Sequence, residues 1–143
     1  MKPILLPILS LLVLNGCASI APTPDALMKL PSNEVFEVRH TAPVPPAVAY
    51  RNIIERAQQC WRRNARTIDA ESLNSKAGVA RLSVKQPAGT FNPPLTLVVV
   101  EVSRESDTST RLTGRSLVAT AERKRDLQNL PLWAEGKTPA CGD

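Results

Sequence analysis

Ala47-Val48-Ala49-Tyr50-Arg51-Asn52-Ile53-Ile54-Glu55-Arg56-Ala57-Gln58-Gln59-Cys60-Trp61-Arg62-Arg63 is the stretch from which the fold can be read. Tyr50, Ile53, Ile54, Ala57, Cys60 and Trp61 recur at spacings of three and four, so a helix gathers them into one apolar stripe. Arg51, Asn52, Glu55, Arg56, Gln58, Gln59 and Arg62 take the opposite face, where partners four apart support the surface. Pro43, Pro45 and Pro46 punctuate the approach, and Pro46 suits a first helical turn, where a missing N–H costs nothing. A single striped helix is stable only against a second layer, which the flanking sequence must supply.

That layer reads as strands. Before the helix, Glu34-Val35-Phe36-Glu37-Val38-Arg39-His40 alternates, with Phe36, Val38 and His40 on one side. After it come Thr67–Glu71, then a turn at residues 74–78, then Gly78–Lys85 with Ala80, Leu82 and Val84 on one face. Leu95-Thr96-Leu97-Val98-Val99-Val100-Glu101-Val102 is apolar on both faces and predicts a central strand. Thr108–Arg115 is polar and Thr-rich, which fits an edge or a solvated face. Beyond Ser116 the period changes: Leu117, Val118, Ala121, Leu127 and Leu130 predict a helix of three to four turns, stopped near Pro131. Leu132 and Trp133 then tuck inward, and residues 136–143 form a tail.

The expected fold class is therefore α+β: an antiparallel sheet of four to five strands, with the long helix and a C-terminal helix on one face, in the order β-α-β-β-β-β-α. The expected core is Phe36, Val38, Tyr50, Ile53, Ile54, Ala57, Trp61, Leu82, Val84, Val98, Val100, Leu112, Leu127 and Leu130. In topology alone this order resembles helix-grip domains and the small domains of outer-membrane assembly lipoproteins, a likeness that implies no activity.

At the N-terminus, Lys2 precedes an uncharged run from Ile4 to Leu14, followed by Leu14-Asn15-Gly16-Cys17. The run is too short for a bilayer span, which needs ~20 apolar residues, and reads as an export signal. Its end resembles the lipobox of bacterial lipoproteins, although Asn15 stands where Ala, Ser or Thr is commoner. The resemblance implies that residues 1–16 are removed and that Cys17 is acylated. By the sorting rule of enteric-type bacteria, the absence of Asp at position 18 implies the outer membrane, on its periplasmic face. Residues 17–32, with Pro22, Pro24 and Pro31, read as the lipidated cysteine and a flexible tether, in which Leu27, Met28 and Leu30 could form a short apolar turn that docks on the domain. Residues 33–143 read as a single domain.

The chain carries 18 basic and 13 acidic side chains and a formal charge of +5, with both signs spread along it. Nucleic acid binding asks for a concentrated basic stripe, so that partner is not expected. A mild positive excess on an exported protein fits a membrane, another envelope protein, or an anionic lipid or polymer. With Cys17 assigned to the lipid, Cys60 and Cys141 have each other as partners in an oxidising compartment. Closing that loop stabilises by up to ~4.5 kcal/mol in the chain-entropy picture. Neither cysteine has a second ligand nearby, and His40 is the single histidine, so no metal or cofactor is expected.

Catalytic sites leave constellations, and none shows here. His40 has no acid-plus-nucleophile set around it and reads as a sheet residue. No Gly-rich phosphate loop, nucleophile elbow or internal repeat is present. Two Phe, two Trp and one Tyr make a poor stacking platform for sugars. The expectation is a non-enzymatic interaction or accessory module of the cell envelope, with Arg62, Arg63, Arg66 and Phe91 as candidate contacts. The alternative is a domain for a small apolar ligand or lipid, held in a cavity between the long helix and the sheet.

Overall fold

The computed structural model describes residues 22–74, 77–90 and 92–142. Along the chain these form α1 (Pro24–Lys29), β1 (Phe36–Ala42), α2 (Pro46–Cys60), β2 (Thr67–Ala70), β3 (Val79–Gln86), β4 (Leu95–Arg104), β5 (Thr110–Ser116), α3 (Ala121–Gln128) and α4 (Leu130–Ala134). The strands join one antiparallel sheet in the order β1-β5-β4-β3-β2. The fold is α+β, as the periodicities require, and the apolar strand β4 is central.

One face of the sheet is apolar because residues two apart share a face. Register aligns Val38, Gly114, Val100 and Leu82 in one row, and Ser116, Val98 and Val84 in the next. Onto these rows α2 lays Ala49, Tyr50, Ile53 and Ala57, while Leu130 and Trp133 arrive from α4. Gly114 is what lets the C-terminal helices sit so close. A Cβ there would lie 2.8 Å from Leu127 Cδ2 and from Leu130 Cδ1. Polar ties fix α2 in place: the Tyr50 hydroxyl lies 2.6 Å from the Glu71 carbonyl oxygen and 2.7 Å from that of Arg81. Burial pushes the Tyr50 pKa up to about 12, with the Glu71 charge adding to the shift. Asn52 Nδ2 donates to the Ala134 carbonyl at 2.9 Å, joining α2 to α4.

The opposite face is polar, and a short helix is strapped across it. Its central row reads Glu37, Arg115, Val99, Ser83 and Asp69. Thr23 caps α1, its Oγ1 accepting from Ala26 N at 3.2 Å. Leu27 of α1 is fully buried against Val35 and Val99, with Met28, Leu30 and Leu117 around it. Arg115, 8% exposed, donates to the carbonyl oxygens of Met28 at 2.7 Å and Leu30 at 2.8 Å, so a cation closes the C-terminal end of the helix. It also pairs with Glu37. At the other end Asp25 pairs with Arg81, whose Nε is 2.8 Å from Glu101.

This strap corrects the reading of residues 17–32 as a flexible tether. Pro24 begins a helix rather than breaking one, because an N-terminal position needs no N–H. The domain thus starts near Thr23, not at residue 33.

Five further expectations shift. β1 begins at Phe36 and runs to Ala42, so His40 lies within the strand. β5 is an interior strand, since β1 pairs with its far side. Its polar face is accommodated by Arg115–Glu37 and by α1. The C-terminal helix is two helices, and Pro131 sits at the start of α4 instead of ending α3. Val118, expected on an apolar stripe, precedes them and is 53% exposed. The α2 stripe runs through Ala49, Tyr50, Ile53, Ala57 and Cys60, which leaves Ile54 and Phe36 at the margin of the core.

Candidate functional site

The α2–β2 connection gathers the arginines singled out from the sequence. α2 ends at Cys60, and Trp61 N–H donates to the Ala57 carbonyl at 2.7 Å as the helix closes. The chain then turns through Asn64 and Ala65, both in the left-handed region at φ 57° and 59°. Asn tolerates that conformation; Ala carries a Cβ into it at a cost of ~1 kcal/mol or more. Arg62 and Arg63 lie before the turn, and Arg66 follows it, its N–H donating to the Arg63 carbonyl at 3.3 Å. All three lie beyond the helix, not in its last turn.

A braced corner holds this loop. Cys60 and Cys141 are bonded, with Cα atoms 5.3 Å apart, so the tail is fastened to the end of α2. Trp61 and Trp133 pack with ring centroids 5.0 Å apart. Asp126 of α3, 2% exposed, accepts from Trp61 Nε1 at 2.8 Å through one oxygen and from Gly142 N at 2.8 Å through the other. One buried carboxylate therefore ties α2, α3 and the tail together. Both of its oxygens are committed.

Between the loop and α3 lies a cleft of about 260 Å³, walled by Trp61, Arg63, Arg66, Glu122, Arg123, Asp126 and Gly142 among others. A second depression, of about 630 Å³, lies on the other side of Arg66, beside Arg62, Thr67 and Asp69. Arg123 lies within the charge run Glu122–Asp126, which acids bracket at helical spacing and which by itself reads as a solvated face. What brings it here is the Thr120 cap, whose Oγ1 accepts from Arg123 N at 3.3 Å and starts α3 beside the loop. Burial holds the Arg123 guanidinium below its ordinary pKa, and the Arg66 charge adds to that against a smaller opposing pull from Glu122. Arg66 Nε is buried with no hydrogen-bond partner among the described residues. The Glu122 carboxylate is held below the usual carboxylate range by its own backbone N–H and the Thr120 hydroxyl first, and by arginine charges after them.

His40 lies elsewhere, in a shallow depression of about 310 Å³ with Arg39, Thr41 and Arg111. Its Nε2 is buried without a hydrogen-bond partner among the described residues. Cys17 and Phe91 lie outside the described residues. Among those described, no three His, Cys, Asp or Glu side chains converge as metal ligands, and no helix is long and apolar enough to cross a membrane. Between α2 and the sheet the space is occupied by Tyr50, Ile53, Leu82, Val98 and Val100, all buried.

No protein-family model and no curated protein matches the chain. Among solved structures, that of Ara h 8.0201 is similar over 70% of this chain and 91% of its own, at 9% identity and a TM-score of 0.39. The di-domain ARO/CYC StfQ from the steffimycin biosynthetic pathway is similar over 69% of this chain and 42% of its own, at 15% identity and a TM-score of 0.34. Likeness this loose carries no conclusion about activity.

Proposed function

We propose that this chain is a lipid-anchored domain on the periplasmic face of the bacterial outer membrane, acting by contact rather than by catalysis. The observation that carries the contact reading is the braced arginine corner: Arg62, Arg63, Arg66 and Arg123 gathered on a disulfide-fastened loop and the start of α3. Positive side chains on a rigid corner suit an acidic protein surface or an anionic lipid or polymer of the envelope. Phe91 is the apolar member of the same proposed contact set. The lipobox-like residues 14–17 support the anchor, and a disulfide fits an oxidising compartment. Because α1 is strapped to the sheet, the spacer after Cys17 is short, and the domain stands no more than ~20 Å from the lipidated residue.

Photo-crosslinking in intact cells tests this reading. A crosslinker at Gln58, beside Arg62, should capture a partner, and the combined charge reversals R62E and R66E should abolish the crosslink while leaving thermal stability near wild type. Crosslinks that survive charge reversal would remove the corner as the contact. Fatty-acid labelling tests the anchor: the wild type should label and Cys17→Ser should not. The alternative, a binder of a small apolar ligand or lipid, draws on the placement of one long helix over an antiparallel sheet. It requires an apolar fluorescent probe to bind the native protein saturably and to be displaced by Ile53→Trp.

A further inference from the structure

Arg66 from the α2–β2 loop and Arg123 from α3 line the same 260 Å³ cleft, together with Arg63. Like charges at close quarters in a half-buried site repel, and the repulsion is relieved most simply by an anion between them. Among the described residues two carboxylates, Asp126 and Glu122, line the same cleft and offset part of that charge, but neither is placed as a dedicated counter-ion between the arginines. Asp126 spends one oxygen on Trp61 and the other on Gly142. The Glu122 carboxylate, held low by its own backbone N–H and the Thr120 hydroxyl first, shares its remaining attraction between Arg125 and Arg123. Arg123 gives one N–H to the Val118 carbonyl, a neutral acceptor, and Arg66 Nε has no hydrogen-bond partner among the described residues. The cleft floor is fixed by the disulfide and the tryptophan pair, so the arginine positions are set before any ligand arrives.

We infer that this cleft binds a phosphate dianion between Arg66 and Arg123, either as free inorganic phosphate or as the terminal phosphate of a phosphomonoester headgroup. The proposal rests on the contact reading above and names its chemistry. Two planar forks that reach one cleft from separate elements match a tetrahedral dianion with oxygens to offer each, whereas a single carboxylate presents one edge. The volume admits the phosphate with part of an ester chain and leaves no room for a folded partner.

The experiment titrates the full lipidated chain in detergent with inorganic phosphate, and separately measures its binding to phosphatidylcholine vesicles with and without phosphatidic acid. Saturable phosphate binding is expected, weakened about tenfold or more by Arg123→Gln, partly by Arg66→Lys, and not at all by Arg51→Gln on the exposed face of α2. Preference for phosphatidic acid that free phosphate competes away identifies the headgroup as the source; phosphate binding without that preference identifies the free ion. Absence of saturable binding overturns the proposal, as does equal weakening by Arg51→Gln. If phosphate binds but charge reversal leaves the cellular crosslinks unchanged, the contact reading fails and the site stands. The converse result removes the site alone.

Discussion

The two faces of the sheet bury their neighbours by different means. Under α2 and α4 the contact is apolar and continuous, with Val38, Leu82, Val98, Val100 and Leu112 meeting a striped helix. On the other side α1 has one fully buried leucine, and what secures it is charge: Arg115 across its C-terminal carbonyls, and Arg81 on Asp25. The first arrangement depends on area and is shared by many residues. The second depends on a few polar contacts, so it opens first and locally.

Loss of the disulfide should be the largest single blow to the helical face. In the Cys60→Ala, Cys141→Ala double variant, urea unfolding should show a loss of up to ~4.5 kcal/mol, since the bond closes a loop of sequence separation 81. An unchanged midpoint would mean that the corner is braced by Asp126 and the tryptophans without it.

Ile53→Ala, beneath α2, should cost ~2–5 kcal/mol in global stability. Leu27→Ala, equally buried beneath α1, should lower the global midpoint by less than half as much, because α1 can leave before the sheet unfolds. Equal losses at the two sites would erase the distinction between the faces. Ile54→Ala should fall well below Ile53→Ala, as its side chain lies at the core margin.

Tyr50 adds a pH dependence to the helical face. Its hydroxyl ionises near 10 in an unfolded chain and at about 12 in the fold, so the protonated form is favoured by folding. The contribution is fully present below pH ~10 and is lost as pH rises through about 12. Stability measured from pH 9 upward should fall more steeply for wild type than for Tyr50→Phe, a variant that itself costs ~1 kcal/mol at neutral pH. Parallel curves would contradict the burial of that hydroxyl.

The smallest effect is a gain. Ala65→Gly relieves a Cβ held at φ 59°, offset by the extra freedom of Gly in the unfolded chain. The variant should be more stable by ~0.5 kcal/mol, read from the shift in urea midpoint. A loss would mean that the loop holds Ala65 by contacts worth more than the strain.

The apolar face was legible because one-sided burial leaves a period in the sequence. Phe36 and Val38, Leu82 and Val84, and the Tyr50–Ile53–Ala57 stripe mark their own faces, and the Cys60–Cys141 bond followed from compartment and count. The strap left a fainter trace, the apolar Leu27, Met28 and Leu30 of a docking turn, without a sustained period. A six-residue helix between prolines is too short to show a period, and its seat is made by Arg115 and Glu37, which read as a solvated strand face. Arg123 was hidden in the same way: within Glu122–Asp126 nothing separates the arginine that faces the cleft from those that face solvent. Charges report a site through where the fold brings them, and that placement is tertiary.

The strap adds α1 to the domain and sets the reach of the proposed anchor, so it is the central claim. Amide hydrogen exchange on the full chain measures it directly at Leu27, whose N–H donates to the Thr23 carbonyl at 2.9 Å. The account predicts clear protection at Leu27 in the wild type, lost in Arg115→Ala while the Val99 and Val100 amides of β4 stay protected. Exchange at Leu27 as fast as in a free peptide in the wild-type protein would contradict it.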